Sequence, residues 1–387
     1  MIGDSERAAR ATLTRIAEPG DAELLELVQR DGPEQVLDDV RHDHIATSRS
    51  ARWRVRLDRS DPQTDLDSAA SVGARLVCPG DDEWPEQLGG LEGSDVRSHD
   101  GRGGVPVGLW VRGRRRLDEL CHTSVAIVGS RSATPYGTTV GGDLAYGLAL
   151  EGVTVISGGA YGIDAAAHRG ALAAESATVG VLACGVDIGY PRGHVALLSR
   201  IADEGLLVSE LPPGCAPSRL RFLTRNRIIA VLSQGTLVVE AALRSGALNT
   251  AGWAEKMMRP VLAVPGPVTS PTSAGVHQLF RENRAELVTD AAEALAAVSP
   301  IGINLPPVKR GESRERDRLS EVPSQVLEAV PAVRPAAPEH IAALAGIPVD
   351  EVTRALDLLL LRGLVEHRES GWRLARSERC EEPAGGS

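Results

Sequence analysis

The chain has 387 residues, 42% of them hydrophobic and 24% charged. It is too long for one ordinary core and too apolar for a disordered chain, so two or three globular units are expected. Forty-two Lys plus Arg against 52 Asp plus Glu leave a net charge of −10, which by itself counts against a nucleic-acid binder. Only Lys256 and Lys309 are lysines, however, and the other forty cations are arginine, the side chain suited to planar, bidentate phosphate contacts. No run approaches the roughly 20 apolar residues of a membrane span, and the first residues, with Asp4, Glu6 and Arg7, hold no apolar signal core. A cytoplasmic protein without a membrane partner is expected. Five scattered cysteines without a CxxC pair and nine dispersed histidines indicate neither a disulfide framework nor a metal site, and no cofactor is expected.

Residues 1–70 read as a small helical domain, with helices over 21–28, where Leu24, Leu25 and Val28 share a face, and over 34–40 after Gly32-Pro33. Ten Arg against 15 Asp plus Glu place about half of the net negative charge there. Only Gly20 is available for a phosphate-clamping turn, so an architectural or protein-contact module is favoured over a DNA clamp. Residues 71–120 read as irregular apart from one strand at 108–112 and a Gly-rich insertion at 89–104. The cluster of Arg112, Arg114, Arg115 and Arg116 is expected on a solvated loop.

From residue 124 to about 298, apolar β-type runs (124–128, 153–156, 177–182, 206–208, 235–239 and 261–264) alternate with helices that include 141–150, 165–174 and 194–202. Near-continuous apolar strands are what burial on both faces of a parallel sheet produces. The expected fold class is therefore α/β, a doubly wound Rossmann-like parallel sheet spanning residues 71–298 with its lead-in, with ligands beyond the carboxyl ends of the strands. Residues 299–320 are Pro-rich and then mixed in charge, a linker composition. Three helices (324–330, 338–345 and 349–363) and a hairpin turning at Ser370-Gly371 follow within 321–376, the order of a winged helix-turn-helix, and 377–387 reads as a disordered tail. The third of these helices carries Asp350, Glu351 and Asp357 against Arg354 and Arg362. Phosphate repulsion opposes entry of an acidic helix into a groove, which favours a protein-contact or regulatory role.

The chemistry concentrates in three places. In the first βα turn, Gly129, Ser130 and Arg131 offer backbone N–H groups, a hydroxyl and a guanidinium to a phosphate, against the plainer reading of a tight turn with a surface Arg. It is not Gly-x-Gly-x-x-Gly, so a dinucleotide site is disfavoured. In the second turn, Gly158, Gly159 and Gly162 let the backbone approach a ligand closely before an Ala-rich helix. Asp164 there reads as a helix cap. The third element runs from Ser218 to Leu232. Between 217 and 260 seven cations stand against Glu240 and Glu255, so the acidic total hides a basic patch. Phe222, set among Arg219, Arg221, Arg225 and Arg227, is a candidate stacking platform for an unpaired base, although a lone Phe is ordinarily core. No nucleophile, base and orienting acid assemble from Ser245-Gly246, Ser209-Glu210 or His168, so no catalytic residue is assigned.

In chain order, Gly129-Ser-Arg131, Ser157-Gly-Gly-Ala-Tyr-Gly-Ile-Asp-Ala-Ala-Ala-His168, Gly185-Val-Asp-Ile-Gly-Tyr-Pro191, Ser209-Glu-Leu-Pro-Pro213, Arg225-Asn-Arg-Ile-Ile-Ala230, Val239-Glu-Ala241, Ser245-Gly246 and Pro265-Gly266 resemble the DNA-processing protein A (DprA/Smf) family. The resemblance covers most of residues 105–298, and Asp82 with Trp84-Pro85 is similar to the family's lead-in. It implies an extended Rossmann-like sheet flanked by a small N-terminal helical (SAM-like) domain and a C-terminal winged-helix domain. It also implies a non-enzymatic, dimeric binder of single-stranded DNA that protects incoming DNA and loads RecA recombinase in natural transformation. The positions it assigns to nucleic acid are Gly129, Ser130, Arg131, Gly158, Gly159, Gly162, Arg219, Phe222, Arg225, Asn226, Arg227, Ser245 and Gly246. Thr224 stands where the family often has Pro, His277 where its Gly-x-Asn ends, and Arg284 where Gly is usual. Two rivals remain. One is a nucleotide phosphoribohydrolase-like Rossmann enzyme, faintly echoed by Gly235-Thr236 and Glu240, although Leu232-Ser-Gln replaces the usual Pro-Gly-Gly. The other is a transcription regulator acting through residues 321–376.

Overall fold

The structure, a computed structural model, describes residues 2–45, 47, 49–93, 102–309 and 315–376. The expected disordered tail at 377–387 lies outside these residues, as do parts of the expected insertion and linker. The chain divides into two units, Met1–Pro306 and Pro307–Ser387.

In the first unit five helices come first: α1 (Asp4–Ile16), α2 (Ala22–Asp31), α3 (Pro33–Arg41), α4 (Ser50–Leu57) and α5 (Pro62–Ser71). Gly32, at φ +82°, turns the chain between α2 and α3, and Pro33 opens α3, where a missing N–H costs nothing. Asp61 caps α5 by accepting from the Gln63 amide at 3.1 Å. The helices close around Trp53, Leu13, Ile16, Leu24 and Val36. They also dock on the sheet: Arg7 is bidentate to Asp81 at 2.9 and 2.8 Å, and Trp110 Nε1 donates to Thr14 Oγ1 at 3.2 Å.

The sheet and its helices follow as β1 (Ala74–Val77), β2 (Leu109–Arg112), α6 (Leu117–His122), β3 (Ser124–Val128), α7 (Pro135–Leu150), β4 (Thr154–Ser157), α8 (Ile163–Ala173), β5 (Thr178–Val181), α9 (Val195–Glu204), β6 (Leu206–Ser209), α10 (Arg219–Leu232), β7 (Gly235–Val238), α11 (Gly246–Lys256), β8 (Val261–Ala263), α12 (Ala274–Arg281), β9 (Glu286–Leu287) and α13 (Ala291–Val298). The nine strands lie in the order β1-β2-β6-β5-β4-β3-β7-β8-β9. All pairs are parallel except those of β2, which runs against β1 and β6. In β3, Ala126 and Val128 enter the core beneath α10 and α11, whereas Val125 and Ile127 enter the core beneath α7 and α8. Strand periodicity of two, with both faces covered, thus gives the unbroken apolar run seen in the sequence.

The expectation that 71–120 is irregular missed β1 and α6. β1 is four residues long with one half-buried arginine, Arg75, and sits at the sheet edge, so its periodicity is too short to register. α6 starts directly after the arginine cluster, where Arg116 reaches forward to Asp118 at 2.9 Å.

The second unit contains α14 (Glu321–Ala329), α15 (Pro338–Ala345), α16 (Val349–Leu361) and a hairpin of β10 (Val365–Arg368) and β11 (Gly371–Leu374). Val326, Ile341, Val352, Leu356, Leu359 and Trp372 form its core. Gly346, at φ +67°, ends α15 in the left-handed conformation. The first turn of α16 displays Asp350 and Glu351, with Arg354 paired to Asp350 at 2.9 Å.

His168 lies fully buried on α8. Thr178 Oγ1 donates to the Val155 carbonyl at 2.6 Å, so it accepts from His168 Nδ1 at 2.8 Å and fixes the neutral tautomer with Nδ1 protonated. Nε2 is buried without a partner. Burial pushes the imidazole pKa down to about 3. The folded value lies below the unfolded one, so this contribution to stability is present above about pH 6.5 and is lost as the pH falls towards 3. Between pH 7.5 and 5 the wild type is expected to lose about 2 kcal/mol more than His168→Gln. Urea titrations at the two pH values check this, and equal losses would contradict it.

Candidate nucleic-acid interface

From β3 the chain winds through β4, β5 and β6 on one side, then returns to lay β7, β8 and β9 on the other. The loops leaving β3 and β7 therefore diverge, and a crevice opens beyond the carboxyl ends of these strands. A cleft of about 750 Å³ occupies it. Its lining brings together Gly129, Ser130, Arg131, Arg219, Phe222, Arg225, Asn226, Ser245 and Gly246 from the sequence-expected set, with Asp164, Tyr190 and Leu223 beside them. The first residues of α10 and α11 also line it. Ser218 caps α10 by accepting from the Arg221 amide at 3.3 Å, and Ser245 caps α11 by accepting from the Ala247 amide at 3.2 Å. Two helix N-termini, with their remaining N–H groups and positive dipole ends, therefore face one cavity, an arrangement suited to anions.

Arg131 and Arg219 are exposed on this cleft, and neither has an ion pair among the described residues. The Arg131 guanidinium stands 4.7 Å over the centroid of the half-buried Phe222 ring, and the exposed Tyr190 ring is 5.7 Å from Phe222. Phe222 is thus part of the cleft wall. Its replacement by alanine is expected to weaken binding of a single-stranded oligonucleotide by on the order of 1 to 3 kcal/mol with the melting temperature nearly unchanged. The opposite pattern, lost stability with intact affinity, would return Phe222 to the core.

Gly158, Gly159 and Gly162 do not line the cleft. A Cβ on Gly162 would stand 2.1 Å from the Ser130 carbonyl oxygen, and one on Gly129 would stand 2.5 Å from Ile163 Cγ1. The Ile163 amide donates to that Ser130 carbonyl at 3.2 Å. The second glycine loop therefore packs backbone to backbone beneath the first and holds Arg131 in place.

Arg225 is almost enclosed. Its Nη1 donates to the Gly158 carbonyl at 2.9 Å and to the Val181 carbonyl, closing the ends of β4 and β5. Burial pulls its pKa down to about 10, so it stays charged at neutral pH. Beside it, burial pushes the Asp164 carboxyl up against the opposing pull of Arg225, and Asp164 accepts from the Ala160 amide at 3.3 Å. Asn226 donates to the Gly246 carbonyl at 3.3 Å and to Asn249 Oδ1 at 3.2 Å, joining α10 to the start of α11.

Arg227 departs from expectation. Its side chain is fully enclosed and bidentate to Glu210, with both contacts at 2.6 Å, so it holds α10 to the end of β6 and is not presented to a ligand. The sequence groups it with its neighbours because the four arginines of α10 look alike locally. Tyr190, exposed at the cleft, and Arg244, exposed beside it, belong to the Gly185–Pro191 motif and the 217–260 basic patch, but neither pattern shows which of its side chains reaches the cleft.

A family model described as DNA recombination-mediator protein A matches residues 75–299. The chain belongs to this family. The putative DNA processing protein DprA of Mycobacterium tuberculosis (strain ATCC 25618 / H37Rv) is 45% identical over 378 residues, covering 97% of this chain and 96% of the relative. Protein Smf of Escherichia coli (strain K12) is 38% identical over 278 residues, 70% of this chain and 73% of the relative. The X-ray structure of DNA processing protein A from Streptococcus pneumoniae matches with a TM-score of 0.62 at 29% identity, covering 76% of this chain and 98% of that one. By its description the family is one of DNA recombination mediators.

The region matched to the DNA recombination-mediator family runs from β1 to the end of α13 and so contains the whole sheet and the cleft. Glu240, on which the phosphoribohydrolase rival depended, is 1% exposed and does not line that cleft. Its carboxylate accepts from the Thr134 amide at 2.9 Å, Thr134 Oγ1 at 2.6 Å and Thr272 Oγ1 at 3.1 Å, at the N-terminus of α7. It anchors the Arg131 loop and is closed off from any substrate there. No group of His, Cys, Asp and Glu that could hold a metal occurs among the described residues, and no helix among them is long and apolar enough to cross a membrane.

Proposed function

We propose that this chain binds single-stranded DNA in the switch-point cleft, protects incoming DNA and loads RecA recombinase onto it during natural transformation, without a chemical step of its own. One observation carries the reading: two exposed guanidiniums without an ion pair among the described residues, Arg131 and Arg219, share a cavity with the Phe222 and Tyr190 rings. Cations suit a phosphate backbone of any sequence, and aromatic faces suit bases that are not stacked in a duplex. Ser130, Ser245 and Gly246 add hydrogen-bonding groups at the cavity. Gly129, Gly158, Gly159, Gly162, Arg225 and Asn226 fix the loops and helix ends that present them, and Arg227 supports α10 from behind. The description of the family as recombination mediators supports RecA as the partner.

A cytoplasmic homodimer belongs to the same reading, with the N-terminal helices as a SAM-like module and residues 321–376 as a winged-helix module. The acidic first turn of α16 speaks against duplex binding by that module. A salt-resolved titration of single-stranded and duplex oligonucleotides, with the full chain and with a chain lacking 321–387, tests the proposal. Preference for the single strand in both forms is expected. Preference for duplex, lost on truncation, would overturn it in favour of a winged-helix regulator.

A further inference from the structure

The Tyr190 ring is 42% exposed, lines the cleft and lies 5.7 Å from the Phe222 ring at an angle of 45°. Phe222 is half-buried, and one of its faces is covered by the Arg131 guanidinium. The larger open aromatic surface in the cavity therefore belongs to Tyr190. A base sandwiched between two rings needs them about 7 Å apart, twice the ~3.4 Å rise of stacked nucleotides, and parallel. These rings are closer and inclined, so they cannot share one base from opposite sides. They can each carry a base on a separate face.

Two residues beyond Tyr190, Arg192 is exposed and has no ion pair among the described residues, which places a cation on the same loop for a neighbouring phosphate. We infer that Tyr190 is a second base-stacking position, adjacent to that of Phe222, which extends the single-strand site from the cleft onto the 185–193 loop. This rests on the single-strand reading above and adds a nucleotide subsite to it. The ligand is any unpaired base, because stacking uses the π face that every base has.

The test titrates the full chain with a short single-stranded oligonucleotide. Tyr190→Ala is expected to weaken binding roughly 5- to 100-fold with little change in salt slope, since a ring and not a charge is lost. Tyr190→Phe is expected to stay within about twofold of the wild type, because the hydroxyl adds nothing to the stack. A thermal melt of each variant separates lost contact from lost folding. In the Phe222→Ala background, Tyr190→Ala is expected to weaken binding by a similar further factor. If its effect vanishes in that background, Tyr190 only props Phe222 and the inference is overturned. It is overturned alone if Tyr190→Ala binds like the wild type while Arg131→Ala and Arg219→Ala do not. It falls together with the single-strand reading if the wild type itself ignores the oligonucleotide.

Discussion

Replacing Arg131 and Arg219 together by alanine is expected to lower affinity for single-stranded DNA roughly 10- to 100-fold at low salt and to flatten the dependence of log K on log salt by roughly 1.4, about 0.7 for each phosphate contact removed. The loss should be uniform across oligonucleotide sequences, because a guanidinium on a phosphate reads no base. Thermal stability should hardly move. Both side chains are exposed, and neither anchors another element through an ion pair among the described residues. Anisotropy titrations from low to physiological salt check the result, and an unchanged slope would remove the proposed site.

The second large effect lies behind the cleft. Glu210→Ala strands the Arg227 guanidinium, whose side chain is 0% exposed, without its partner. A buried charge deprived of its counterion costs about 3 to 5 kcal/mol, enough to unfold much of a marginally stable population. Denaturant titration of the full chain measures it. Pairing Glu210→Ala with Arg227→Met is expected to recover much of the loss, because no charge is then left buried. The paired variant should also keep the salt slope of the wild type. A slope reduced in it would mean that Arg227 reaches DNA after all.

The site is unevenly legible in the sequence. Both glycine loops are legible because a buried strand, a glycine turn and a helix start leave a local pattern, and β3 runs over the same residues, Ser124–Val128, that its apolar run indicates. What those glycines do was not legible. Gly162 appears to a sequence reader as a backbone open to phosphate, yet its missing Cβ is needed against the Ser130 carbonyl. Phe222 was ambiguous for a similar reason: the arginines around it are visible, but which of its faces is open depends on Arg131, brought from another loop.

The sequence alone determined the doubly wound sheet, the place of the crevice beyond its strand ends and the concentration of cations between residues 217 and 260, since each of these is written in a local period or composition. Tertiary structure decided which of those cations are free. Arg221 pairs with Glu18 at 2.9 Å across 203 positions. Although partial burial pushes the Glu18 carboxyl up, Arg221 and Arg56 hold it below the usual range. Arg225 and Arg259 are taken by backbone carbonyls and Arg227 by Glu210, while the Lys256 ammonium lies 4.9 Å over the Trp253 ring. Arg219 and Arg244 are left exposed, and Arg131 joins them from the first loop. A charge is neutralised by whatever lies within a few ångströms of it, and distance in space between residues far apart in the chain is what only folding sets.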